Sequence, residues 1–160
     1  MLLSIAAPAR ADFSGQTILG PLALNSAVNG DNTGSSDDND GWFSGTHLFD
    51  IWDGGDDVYA LNWAGGDMTV TLTYDNIFAD PDLFLYTPDN LDESTLDSIA
   101  NTGVDAVTML GAAPGTYYVL VDTTAGMEGE YHVSVTPEPG TLALLGLGGL
   151  IAARRRRVGR

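Results

Sequence analysis

The chain has 160 residues with 22 acidic side chains against 6 basic ones, and every basic residue lies near a terminus: Arg10, Arg154, Arg155, Arg156, Arg157 and Arg160. Residues 11–153 therefore hold all 22 carboxylates and no Lys or Arg, a surface that repels polyanions and excludes nucleic acid as a partner. The absence of cysteine excludes both a disulfide framework and a thiol nucleophile.

Residues 2–8 are apolar and small, and Ala9, Arg10 and Ala11 follow them as an A-x-A-like cleavage site, so residues 1–11 read as the end of a signal peptide. Mature protein is expected to begin at Asp12 after export through the Sec translocon. The basic segment that opens such peptides is missing, which points to a true start upstream.

Within residues 12–135, residues 17–27 suggest an opening strand broken at Gly20 and Pro21. Residues 29–45 hold four glycines and four aspartates and read as a loop. A strand is expected over 47–52 and a turn over 53–57. Tyr59, Leu61 and Trp63 then alternate with polar or small neighbours, as do Met68, Val70, Leu72 and Tyr74 with Thr69, Thr71 and Thr73; the turn at 64–67 predicts an antiparallel hairpin between them. Further strands are expected over 82–87 and 104–110. After the Pro114-Gly115 turn, Tyr117, Val119 and Val121 alternate, and Tyr131, Val133 and Val135 repeat the device. No segment has the period of an amphipathic helix. Short alternating strands with Gly-rich turns predict an all-β, antiparallel, jelly-roll-like sandwich.

Acidic pairs in its loops supply hard oxygen ligands of the kind calcium takes: Asp37, Asp38 and Asp40, then Asp56 and Asp57, then Asp80 and Asp82. None has EF-hand spacing, and a solvated acidic surface explains the same residues. Trp42, Phe43 and Trp52 flank these loops and would form a ligand-binding strip if they face solvent, or ordinary core if they do not. The threonine row of 69, 71 and 73 has the same two readings, sugar contact or ordinary strand propensity. Catalytic residues are not expected. The two histidines, His47 and His132, have no companion in a zinc or triad spacing, and no nucleophile elbow or phosphate loop is present.

The last two dozen residues are of another kind. Pro137, Glu138 and Pro139 can neither continue a strand nor enter a helix interior, so an extended, accessible peptide is expected there. An uncharged, Leu- and Gly-rich run over 140–153 follows, ended by Arg154, Arg155, Arg156 and Arg157, a cytoplasmic stop by the positive-inside rule. As a helix the run would reach roughly 21 Å, short of the ~30 Å hydrocarbon layer, so it would span only with local thinning.

These three ordered elements, within residues 136–160, resemble the PEP-CTERM sorting signal. The resemblance implies that a membrane-embedded exosortase recognises the tail and cuts near the motif; an uncut tail anchor is the alternative. Residues 56–61, 68–73, 79–86, 114–122 and 129–135, with the opening loop at 29–34, resemble the bacterial pre-peptidase C-terminal domain. That resemblance implies a sandwich of secreted proteins, an accessory to enzymes that in some members binds calcium or an insoluble polymer. Together they lead to an expectation: a non-catalytic exported protein of the cell surface or extracellular matrix of a Gram-negative-type bacterium, associated with exopolysaccharide or biofilm. A calcium-dependent carbohydrate-binding or adhesive module is the alternative.

Overall fold

A computed structural model describes residues 17–37, 52–75, 78–91, 95–99 and 103–138. Within them the strands run β1 Ile18–Pro21, β2 Ala27–Asp31, β3 Asp57–Trp63, β4 Gly66–Thr73, β5 Asp82–Tyr86, β6 Leu96–Ser98, β7 Val104–Ala112, β8 Gly115–Asp122 and β9 Glu130–Pro137. They form two sheets, ordered β1-β3-β8-β5-β6 and β2-β9-β4-β7. All pairings are antiparallel except that of β1 with β3. No helix occurs among the described residues.

The two sheets form a β-sandwich because period-two alternation gives each an apolar inner face. Tyr59, Leu61, Trp63, Leu83, Leu85, Tyr117, Val119 and Val121 from one sheet meet Met68, Val70, Leu72, Val107, Tyr131, Val133 and Val135 from the other. The five-stranded sheet is also covered on its outer face. There Val58, Phe84, Tyr86 and Leu120 pack with Trp52, and the partly buried Leu91, Ile99 and Tyr118 pack against them.

The expected hairpin of β3 and β4 does not form. β3 pairs with β1 and β8, whereas β4 pairs with β7 and β9, so residues 64 and 65 carry the chain from one sheet to the other. Gly65 and Gly66 both have φ near +100°, a conformation that admits glycine and gives this crossing its shape. Alternation fixes which face is buried but not which partner a strand takes. The expected loop over 29–45 is also corrected at its start, since β2 runs through Asn29 and Gly30 to Asp31 and pairs with β9. The short β6 was not expected; the break expected at Gly20 and Pro21 is present, since the pairing of β1 with β3 shifts register between Ile18 and Pro21 and β1 ends at Pro21.

The strand expected over 47–52 and the tail beyond Glu138, with its apolar run, lie outside the described residues apart from Trp52, which is not in a strand. Among the described residues no helix is long and apolar enough to cross a membrane.

Candidate functional site

Strands β5 and β8 of the five-stranded sheet, and the residue just before the neighbouring β3, place aspartates at the same end of its outer face. Asp82 on β5 lies directly opposite Asp122 on β8. Since Asp57 of β3 pairs with Val121, Asp56 comes alongside Asp122 on the other side. Like charges directly opposed on adjacent strands repel, and no Lys or Arg between residues 11 and 153 is available to offset them.

Each carboxylate is partly satisfied. Trp52, 2 % exposed, stacks edge-on against Phe84 at 5.3 Å and donates its indole N–H to Asp82 Oδ2. Asp122 Oδ1 accepts from the Thr123 N–H at 2.7 Å. Asp82 Oδ1 and Asp122 Oδ2 are buried without a hydrogen-bond donor among the described residues. Burial, then the charges of Asp80, Asp105 and Asp97, pushes the Asp82 carboxyl up to about 7 despite the Trp52 bond. Burial first, then the charge and hydrogen bond of Asp56, carries Asp122 far above the usual carboxylate range. Two carboxyl groups hydrogen-bond only by sharing a proton, so the raised Asp122 carboxyl holds its proton against Asp56.

The neighbouring Asp57 serves a different purpose. Counting back from Trp63, Leu61 and Tyr59 in steps of two puts it on the inner face, where it accepts from Ser35 Oγ at 2.9 Å and from the Tyr131 hydroxyl. Tyr131 OH also meets Tyr59 OH at 2.9 Å. Burial raises the Asp57 carboxyl, and the bonds from Tyr131 and Ser35 partly offset the rise. A cavity of about 200 Å³ lined by Thr17, Leu19, Ser35, Ser36, Asp56 and Asp57 opens beside this network.

The other sequence-predicted ligands are scattered. Asp80 accepts from Tyr74 OH at 2.8 Å and is bound through its own N–H to Met127 O. Asp37 is exposed, and its charge adds to the shift of Asp122. Asp38, Asp40, Trp42, Phe43 and His47 lie outside the described residues, as do Ala9, Ala11, Asp12, Pro139 and Arg154, Arg155, Arg156 and Arg157. Trp52 faces the core, so it contributes no solvent-facing aromatic. His132 is exposed on the outer face of β9, its Nδ1 2.7 Å from Asn29 Oδ1. Among the described residues no group of three or more His, Cys, Asp or Glu is placed to hold a metal ion. Asp122 was not foreseen; the signal was its position two residues beyond Leu120 on the outward-facing register.

The sorting segment is joined to the sandwich directly. β9 continues to Pro137, which pairs with Met68. The Glu138 N–H donates to Asp67 O at 3.0 Å, and its Oε1 accepts from Thr69 Oγ1 at 2.8 Å. Thr69 has one hydroxyl proton, given to Glu138, so the 2.7 Å contact with Thr108 Oγ1 runs from Thr108 to Thr69. The extended peptide expected at Pro137 and Glu138 is therefore extended but docked.

The fold defines the class of this domain. It is a β-sandwich similar to the pre-peptidase C-terminal domain of a Bacillus anthracis collagenase, at 19 % identity and TM-score 0.53 over 75 % of this chain and 97 % of that one. It is also similar, at 12 % identity each, to an Aeromonas hydrophila periplasmic inhibitor of g-type lysozyme (TM-score 0.47, 74 % and 96 % covered) and to CorA, a surface-associated copper-binding protein of Methylomicrobium album BG8 (0.48, 76 % and 98 %). No curated protein matches the chain in sequence. What particularises the chain is its end: residues 135–157 match the PEP-CTERM protein-sorting motif. A motif of this kind implies export, membrane-anchored sorting and processing by an exosortase.

Proposed function

We propose that the chain is a non-catalytic structural module, exported through the Sec pathway and released or transferred by an exosortase to the cell surface or extracellular matrix, where it associates with exopolysaccharide. The carrying observation is that the sorting motif follows the last strand of the sandwich without a linker, so the signal acts on a chain that carries the sandwich directly ahead of it. Protein recovered from the native extracellular fraction should show, by intact mass, loss of everything beyond about Pro139. Recovery with the arginine cluster attached would replace sorting with a plain tail anchor.

A second reading, a calcium-dependent binding or adhesive module, is favoured by the two buried donor-less oxygens of Asp82 and Asp122. Carboxylate oxygens suit calcium, and the rest of its six to eight ligands would be carbonyls and water. Calcium bound there would supply the charge that the chain lacks. Millimolar calcium at constant ionic strength should then raise the unfolding midpoint, the stabilisation growing with the logarithm of free calcium to about 2.7 kcal/mol at 100-fold excess over Kd. The effect should disappear in the Asp82→Asn plus Asp122→Asn variant; magnesium matching calcium in both proteins would remove this reading.

A further inference from the structure

We propose that the folded sandwich itself withholds the sorting motif, and that processing waits on the end of β9 peeling away from β4. The inference rests on the sorting reading above and adds a control that the signal alone does not contain.

Pro137-Glu138-Pro139 has a single backbone N–H, because neither proline carries one, and a single charged group, the Glu138 carboxylate. Both are engaged with β4. The N–H is bonded to Asp67 O, and the carboxylate is bonded to Thr69 Oγ1, whose own oxygen accepts from Thr108. Every polar feature by which a partner could distinguish this tripeptide, apart from its carbonyls, is thus turned to the sheet.

Chain length sharpens the conflict. Only Pro139 and Gly140 separate Glu138 from Thr141 within the uncharged run. Three residue steps reach at most about 11 Å. A membrane-embedded enzyme engaging the run would meet Glu138 still flush against the sandwich, with no free chain to draw into its site. Access requires residues 136–138 to leave β4. That opening is local: it breaks the last rungs of one ladder and leaves the core residues Val133 and Val135 in place, as expected for a strand end of low local stability. Pairing cannot spread past Glu138, since Pro139 has no N–H to extend it.

The experiment follows processing of the newly made full chain, co-expressed with its exosortase, by pulse labelling. Thr69→Val removes the hydroxyl that holds Glu138 while keeping the motif and the strand propensity of the site; processing should quicken roughly tenfold, the effect of one lost hydrogen bond to a charged group. Thr69 and Thr136 are directly opposite, so Thr69→Cys with Thr136→Cys places a cross-strand disulfide just ahead of the motif without altering it. This variant should stall when oxidised and match or exceed the parent rate after reduction in the cells. Thermal unfolding of each variant shows that its sandwich is intact. A processed parent with Thr69→Val equal to it or slower overturns this inference alone, as does an oxidised double variant cut at the parent rate. A parent that is not processed at all overturns the sorting reading and takes this inference with it.

Discussion

The protein should unfold at a higher temperature at pH 4.5 than at pH 7.5 when ionic strength is held fixed. Asp82 is ionised in the unfolded chain above its ordinary value of 3.8 but holds its proton in the fold up to about 7. Between those limits the native state binds more protons, so stability is fully present below about pH 4 and is lost as the pH rises through 7. Asp122, raised further by burial and by Asp56, continues the loss toward alkaline pH. The Asp82 part alone is on the order of 2–4 kcal/mol, equivalent to a fall of ~10 °C or more in midpoint for a domain of this size. Asp82→Asn should flatten the profile between pH 4.5 and 7.5, since its carbonyl still accepts from Trp52 and its amide can donate to Asp122. Asp122→Asn should raise the midpoint at pH 7.5, because its amide can donate to Asp56 where two carboxylates now need a proton. A parent midpoint that is level or rising over this range would show that the row is ionised at no cost, and the account of buried, uncompensated carboxylates would fall.

This row also marks what the sequence could and could not convey. The alternation in β3, β4, β8 and β9 was legible because each has one face against the same core, and Tyr59, Val70, Val119 and Val133 all fall where the period puts them. Which sheet each strand joins was not, since a turn of two glycines serves a hairpin and a crossing between sheets alike. β2 was hidden by its composition: Asn29, Gly30 and Asp31 have turn chemistry, yet they pair with β9. The carboxylates of Asp56 and Asp82 were noticed as pairs with Asp57 and Asp80. The fold instead puts Asp56 and Asp57 on opposite faces of the sheet and aligns Asp56 and Asp82 with Asp122, an arrangement that depends on register between strands far apart in the chain. The sorting motif was legible in order and spacing, but its docking on Thr69 and Asp67 was not, because a long-range ladder and not local propensity decides where β9 ends.

Substitutions around Tyr131 should rank in a definite order. Gly30 lies opposite Tyr131 on β2, and a Cβ there would sit 2.2 Å from the ring carbon bearing the hydroxyl. A fully buried ring in contact with Asp57 and Tyr59 cannot yield that distance by a rotamer change alone, so Gly30→Ala should cost about 3 kcal/mol or more. Tyr131→Phe keeps the packing but leaves the Asp57 carboxylate with Ser35 alone and removes the partner of Tyr59; a cost of about 2–3 kcal/mol is expected. Tyr59→Phe should cost about 1 kcal/mol, because Asp57 retains Tyr131. The pH dependence separates a lost hydrogen bond from disturbed packing. With Tyr131→Phe the Asp57 carboxyl, already raised by burial, loses the bond that lowers it, so its proton is retained to higher pH and the penalty should be smaller at pH 4 than at pH 7. For Gly30→Ala a steric penalty should change little over the same interval. Denaturant unfolding of the three variants at both pH values reads all of this directly. If Tyr131→Phe were no worse than Tyr59→Phe, or if its penalty were the same at both pH values, the Tyr131 hydroxyl would not be what makes a buried Asp57 tolerable beneath β2.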